Sequence, residues 1–155
     1  MIINLVAAVI SIISTTALAE SLDEGTCFPA GTPCPSHYKT CLRVQLNYVN
    51  TTGDSSNDTM NVDEVISITP QYFPTVQRLF KKQLTSGKPL DCLIDSTVLD
   101  NRTSLSSLSI KLHAEGYVTD NCQITLNRNH VIGNHSYIIG INKTDDTHIS
   151  CTGNL

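Results

Sequence analysis

The chain has 155 residues, 40% of them hydrophobic and 15% charged, with a formal net charge of −4. A length of this order suits one domain and hardly two. The mild acidity argues against a nucleic-acid binder, which would need a broad basic face.

Residues 1–19, MIINLVAAVISIISTTALA, carry an almost unbroken apolar run from Ile2 to Ile13 and end in Ala17-Leu18-Ala19. That is the form of a secretory signal peptide cut after Ala19. The run falls short of the roughly 20 residues a membrane span needs, and the polar tail DDTHISCTGNL is no lipid-anchor signal. A soluble extracellular domain over residues 20–155, with no stable membrane anchor, is the expectation. Its six cysteines are Cys27, Cys34, Cys41, Cys92, Cys122 and Cys151. In an oxidising compartment an even set implies three disulfides, in one of 15 pairings that sequence leaves open. Five N-glycosylation sequons, at Asn50, Asn57, Asn101, Asn134 and Asn142, point the same way. An occupied asparagine must face solvent.

In chain order, CLRVQLNYV (41–49) sets Leu42, Val44, Leu46 and Tyr48 on one side of an extended strand and Arg43, Gln45 and Asn47 on the other. A polar loop with two sequons and a Gly-Asp turn signal follows. EVISI (64–68) reads as a short strand ending before Thr69-Pro70. PTVQRLFKKQLTSG (74–87) breaks the pattern: Val76, Leu79 and Phe80 fall at i, i+3 and i+4, with Arg78, Lys81 and Lys82 opposite, before Gly87 and Pro89. That spacing predicts one short amphipathic helix. Strands are then expected at LDCLIDSTVL (90–99), SLSSLSIKLH (104–113), CQITLN (122–127), HSYIIGI (135–141) and THISC (147–151). Seven or so strands, regular turn clusters and one helix predict a disulfide-stapled antiparallel β-sandwich.

The stretch 61–100 holds no sequon, and four of the ten Lys/Arg lie in it, Arg78, Lys81, Lys82 and Lys88. A sugar-free face is the natural place for a protein partner. Binding of heparan-like polyanions by those four residues is a narrower version of the same idea.

Catalytic chemistry finds little purchase. Of the histidines His37, His113, His130, His135 and His148, only His130 and His135 have ligand-like spacing, and no nearby acid completes a zinc set. No G-x-S-x-G elbow occurs, and no free cysteine is expected. A small secreted hydrolase such as a guanyl ribonuclease would need a general base, a general acid and an arginine on the phosphate. The tail SYIIGINKTDDTHISC has Ile and Gly where that family keeps its catalytic histidine. Calcium is a further candidate, since Asp54, Asp58, Asp91, Asp95, Asp145 and Asp146 sit mostly in predicted loops. Asp is also simply a good turn residue, which is the preferred account. No cofactor, no metal and no catalytic residue is assigned, and the chain is read as a binding module, not an enzyme.

One stretch carries a family signal. CPSHYKTCLRVQL has a cysteine, a hydroxyl residue, an aromatic, a basic residue and then Cys41 followed by Leu-Arg at a strand entrance. It resembles the first strand of the N-terminal C2-like domain of Notch ligands, the Delta and Serrate/Jagged group. Cys34 and Cys41 match the family's cysteine pair, and SHYK its aromatic-basic core. SLSSLSIKLHAEG and HISC are similar, more loosely, to later strands of that domain. The match is specific over about ten residues. Upstream stands the single Cys27 where the family has a doublet, the cysteine after strand one is missing, and there is no Trp. The receptor-binding module and the repeats that follow in the family have no counterpart here. The resemblance implies a C2-like β-sandwich and a signalling or decoy protein that contributes to receptor contact. The sequon-rich loop after the first strand argues against the lipid contact made by the family's loops. The other class left open is a secreted effector or inhibitor with a fold of its own.

Overall fold

A computed structural model describes residues 23–38, 41–53, 57–70, 74–95, 105–127 and 135–154, and every structural statement below refers to them. The segment 1–19 lies outside them. The strands are β1 (Asp23–Glu24), β2 (Thr26–Pro29), β3 (Cys41–Asn50), β4 (Thr59–Pro70), β5 (Val76–Thr85), β6 (Leu90–Asp95), β7 (Leu105–Ala114), β8 (Val118–Asp120), β9 (Gln123–Asn127), β10 (His135–Lys143) and β11 (His148–Asn154). A first sheet has the order β1-β5-β4-β7-β9 and a second the order β2-β6-β3-β10-β11-β8. The expected β-sandwich is therefore present. Its ladders are antiparallel except at β1–β5, β3–β10 and β8–β11, which run parallel.

Strict alternation builds the core. Leu42, Val44, Leu46 and Tyr48 of β3 turn inward, as do Met60, Val62, Ile66 and Ile68 of β4. Leu108, Ile110 and Leu112 of β7 and Tyr137, Ile139 and Ile141 of β10 complete the two inner faces. Each such side chain contributes on the order of 1.5–3 kcal/mol by leaving water.

The expected helix over 74–87 is corrected: Val76–Thr85 is strand β5. It pairs with β4 in unbroken antiparallel register from Thr59↔Thr85 to Ile68↔Val76. Two of the three residues that mimic a helical stripe, Val76 and Phe80, also share one side of a strand, and Phe80 and Leu84 on that side are buried. A helix of that length is marginal by itself, whereas a ten-residue ladder satisfies its backbone at once. Leu79 consequently turns to the outer side, half-buried. β4 also begins five residues earlier than expected, since Met60 and Val62 continue its inward series.

The three disulfides are Cys27–Cys92, Cys34–Cys41 and Cys122–Cys151. The first joins β2 to β6 within the second sheet. The second closes a seven-residue separation at the mouth of β3. The third crosses the sandwich, tying the residue before β9 to β11. At Gly25 the chain leaves the first sheet for the second. Its N–H donates to Leu79 O at 2.8 Å, and a Cβ there would meet the Phe80 ring at 2.0 Å. Only glycine permits that approach of backbone to ring.

Candidate functional site

Because side chains alternate along β4, β5, β7 and β9, the first sheet has an outer face opposite its core. Register sets its rows. Asp63 on β4 lies between Lys81 on β5 and His113 on β7, and Val65 lies between Leu79 and Lys111. Ser67 lies between Gln77 and Ser109, and Gln77 Nε2 donates to Ser67 Oγ at 3.0 Å. Asn61, Asp63, Lys81, His113 and Glu115 line a shallow open basin, where Asn61 Nδ2 donates to Glu115 Oε2 at 3.4 Å. Lys111 pairs with Gln123 on β9, which extends the face outward. The surface is polar and mixed in charge.

The four basic residues singled out in the sequence do not form one stripe. Lys81 is exposed on this outer face, while Arg78 and Lys82 stand half-buried on the opposite side of β5. Arg78 Nη1 donates to Gln77 O at 3.0 Å. Lys88 lies in the turn after β5, where its N–H donates to Thr85 O at 3.0 Å.

The described sequon asparagines lie elsewhere. Asn50 ends β3, Asn57 sits exposed in the following turn, and Asn142 is half-buried on the outer side of β10, directly opposite Val49. All three thus gather toward one end of the second sheet. Asn101 and Asn134 lie outside the described residues. Asn50 is the most engaged: its Nδ2 donates to Asp58 Oδ2 at 2.9 Å, and its Oδ1 accepts from Thr52 N at 2.9 Å and Thr52 Oγ1 at 2.7 Å.

Two polar clusters hold that second sheet together. On its outer side Asp91 is fully buried and accepts from Gly31 N at 2.8 Å, from Gln45 Nε2 at 3.0 Å and from Arg43. Arg43 also donates to Thr32 O at 2.8 Å, so the Gly31–Thr32 segment that follows β2 is tied to the carboxylate. At the sequon-bearing end Tyr48 donates to Asp58. Lys143 stands 3.9 Å from that Asp58, 3.8 Å from Asp146 and 5.6 Å above the Tyr117 ring. Burial, helped by the bond to Asp58, pushes the Tyr48 phenol well above its ordinary range.

The residues weighed for metal or catalytic chemistry are dispersed. Asp145 closes its own turn, accepting from Thr147 N at 2.7 Å and His148 N at 2.8 Å. Bonds from Thr147 and then His148 lower its carboxyl to about 2. His37 packs edge-on against Tyr38 at 4.8 Å, and His113 faces solvent on β7. His135 opens β10, while His130 and Asp54 lie outside the described residues. Asp95 ends β6. Among the described residues no three His, Cys, Asp or Glu side chains converge as a metal site, and no helix is long and apolar enough to cross a membrane.

Sequence reasoning passed over the Asp91 network. Its signal was an aspartate on the polar side of an apolar strand, which register sets opposite Gln45 and beside Arg43. Comparison with protein-family models, with curated proteins and with solved structures finds no match to this chain.

Proposed function

We propose that this chain is a secreted, N-glycosylated binding module that docks an extracellular protein on the outer face of its first sheet. One observation carries the reading. The described sequon asparagines all lie on the second sheet or in the turn leaving it, and none lies on the first sheet's outer face. Glycans at Asn50, Asn57 and Asn142 would shield one end of the molecule and leave that broad polar surface bare. Three disulfides in a chain of this size suit an oxidising, extracellular setting. A mixed-charge face with half-buried Leu79 and Val65 at its centre has the polar rim and small apolar middle of a transient protein interface.

The finer form of the proposal is a relative of the N-terminal domain of Notch ligands, acting as a signal or decoy. The closure of Cys34–Cys41 at the entrance of β3 supports it, as does the sandwich architecture.

The test is site-directed photo-cross-linking with the glycosylated chain on living cells. A photoreactive residue at Lys81 should capture a surface protein that the same residue at Asn47, on the outer side of the second sheet, does not. Equal capture at both positions, or capture at Asn47 alone, removes the first sheet from the account.

A further inference from the structure

β4 is the middle strand of the first sheet and sends five side chains inward: Met60, Val62, Glu64, Ile66 and Ile68. Four are apolar. Glu64 is as buried as its neighbours, at 0% exposure, and neither carboxyl oxygen has a hydrogen-bond partner. Its register neighbours are Phe80 on β5 and Leu112 on β7, both buried.

The ionisable groups that share this interior are few. Arg78 and Lys82 of β5 flank Phe80 on the inward side. β3 contributes Tyr48, which is committed to Asp58. β10 contributes Tyr137 and Lys143, the latter beside Asp58 and Asp146. Cys92 and Cys151 are held in disulfides, and the buried inward residues of β7 are Leu108, Ile110, Leu112 and Ala114. His113 and Asp63 point to the other side of the sheet. None of these groups hydrogen-bonds Glu64.

A carboxylate so enclosed would be a buried, uncompensated charge, among the costliest features a core can hold. A neutral carboxylic acid costs far less. We infer that Glu64 is a proton-controlled latch: the sandwich closes over it while its carboxyl carries a proton, and ionisation draws β4 out of the core. This rests on the core alone and stands whether or not the first sheet docks a partner.

The direction follows from linkage. Burial pushes the Glu64 carboxyl from 4.5 up to about 8, so the folded chain keeps a proton that the unfolded chain has lost between those values. The stability that Glu64 contributes is therefore full below pH 4.5, falls as pH rises through the window, and levels off above pH 8. The folded-to-unfolded ratio drops about tenfold per pH unit inside it.

The experiment is urea unfolding of the full chain in steps from about pH 4.5 to pH 9, for the parent and for Glu64→Gln. The parent should lose stability with the slope of one proton, and E64Q should lack that slope. Parallel curves overturn the inference. Should E64Q fail to fold, carboxyl-carbon NMR of the intact parent decides instead. A protonated Glu64 signal at pH 6.5 supports the latch, and an ionised one at that pH overturns it. Hydrogen exchange, corrected for intrinsic rates, should show amides of β4 losing protection above pH 8 ahead of those of β3; uniform loss contradicts the opening of β4.

Discussion

Replacing Asp91 by Ala should be among the costliest single changes on the second sheet. The carboxylate is 1% exposed and holds three donors, from Gly31, Arg43 and Gln45. Truncation leaves the part-buried Gly31 N–H, the Gln45 side-chain amide and the Arg43 guanidinium without their acceptor. Breaking a buried pair from one side costs about 3–5 kcal/mol. Here the Arg43 side chain is 22% exposed and keeps its bond to Thr32 O, so water recovers part of the loss and about 3 kcal/mol is expected. For a domain of this size that is a fall in Tm of about 6–12 °C, read by far-UV circular dichroism or urea titration. Asp91→Asn keeps the shape and one acceptor oxygen and should cost about half as much. In a double-mutant cycle, Arg43→Ala should recover part of the loss, because the stranded cation is gone. A cost below about 1 kcal/mol for Asp91→Ala, or strict additivity with Arg43→Ala, would refute the reasoning.

Gly25→Ala forces a methyl to within 2.0 Å of the Phe80 ring and should destabilise by about 1–3 kcal/mol, without altering a neighbouring disulfide by mass spectrometry. Removing the disulfides one pair at a time should cost most for Cys27–Cys92, less for Cys122–Cys151 and least for Cys34–Cys41, following separations of 65, 29 and 7 residues. Chain entropy sets ceilings of about 4, 3.5 and 2.5 kcal/mol, and denaturant titration of Ser pairs checks the order. In secreted material, glycan mapping should find Asn57 more fully occupied than Asn50, whose amide nitrogen is already donated to Asp58; the Asp58→Ala variant should raise occupancy at Asn50.

Much of the sandwich is legible in the sequence because period-two patterning is local. The inward series of Leu42, Val44, Leu46 and Tyr48 can be read straight from the chain and is the one observed. β5 could not be read that way, since Val76, Leu79 and Phe80 suit a helical stripe until the ladder with β4 decides the matter. β1, β2 and β8, of two to four residues, are too short to carry a pattern and exist through their partners. Disulfide pairing was equally hidden, because Cys27 meets Cys92 only through the register of β2 on β6. Glu64 is the first residue of the strand expected at 64–68; with β4 beginning at Thr59 it becomes a mid-strand residue on the core side. The basic residues near β5 shared a sequence neighbourhood but not a surface, since alternation sends Lys81 one way and Arg78 and Lys82 the other.

The most direct test of the docking proposal places a glycan on each sheet in turn. Gln123→Asn creates a sequon with Thr125 on the first sheet's outer face, and Val49→Thr creates one at Asn47 on the second sheet's outer side. With both variants secreted and folded, saturable binding of the labelled chain to cells should be abolished by the glycan at position 123 and retained with the glycan at Asn47. Binding that survives at position 123, or is lost only with the glycan at Asn47, would contradict it.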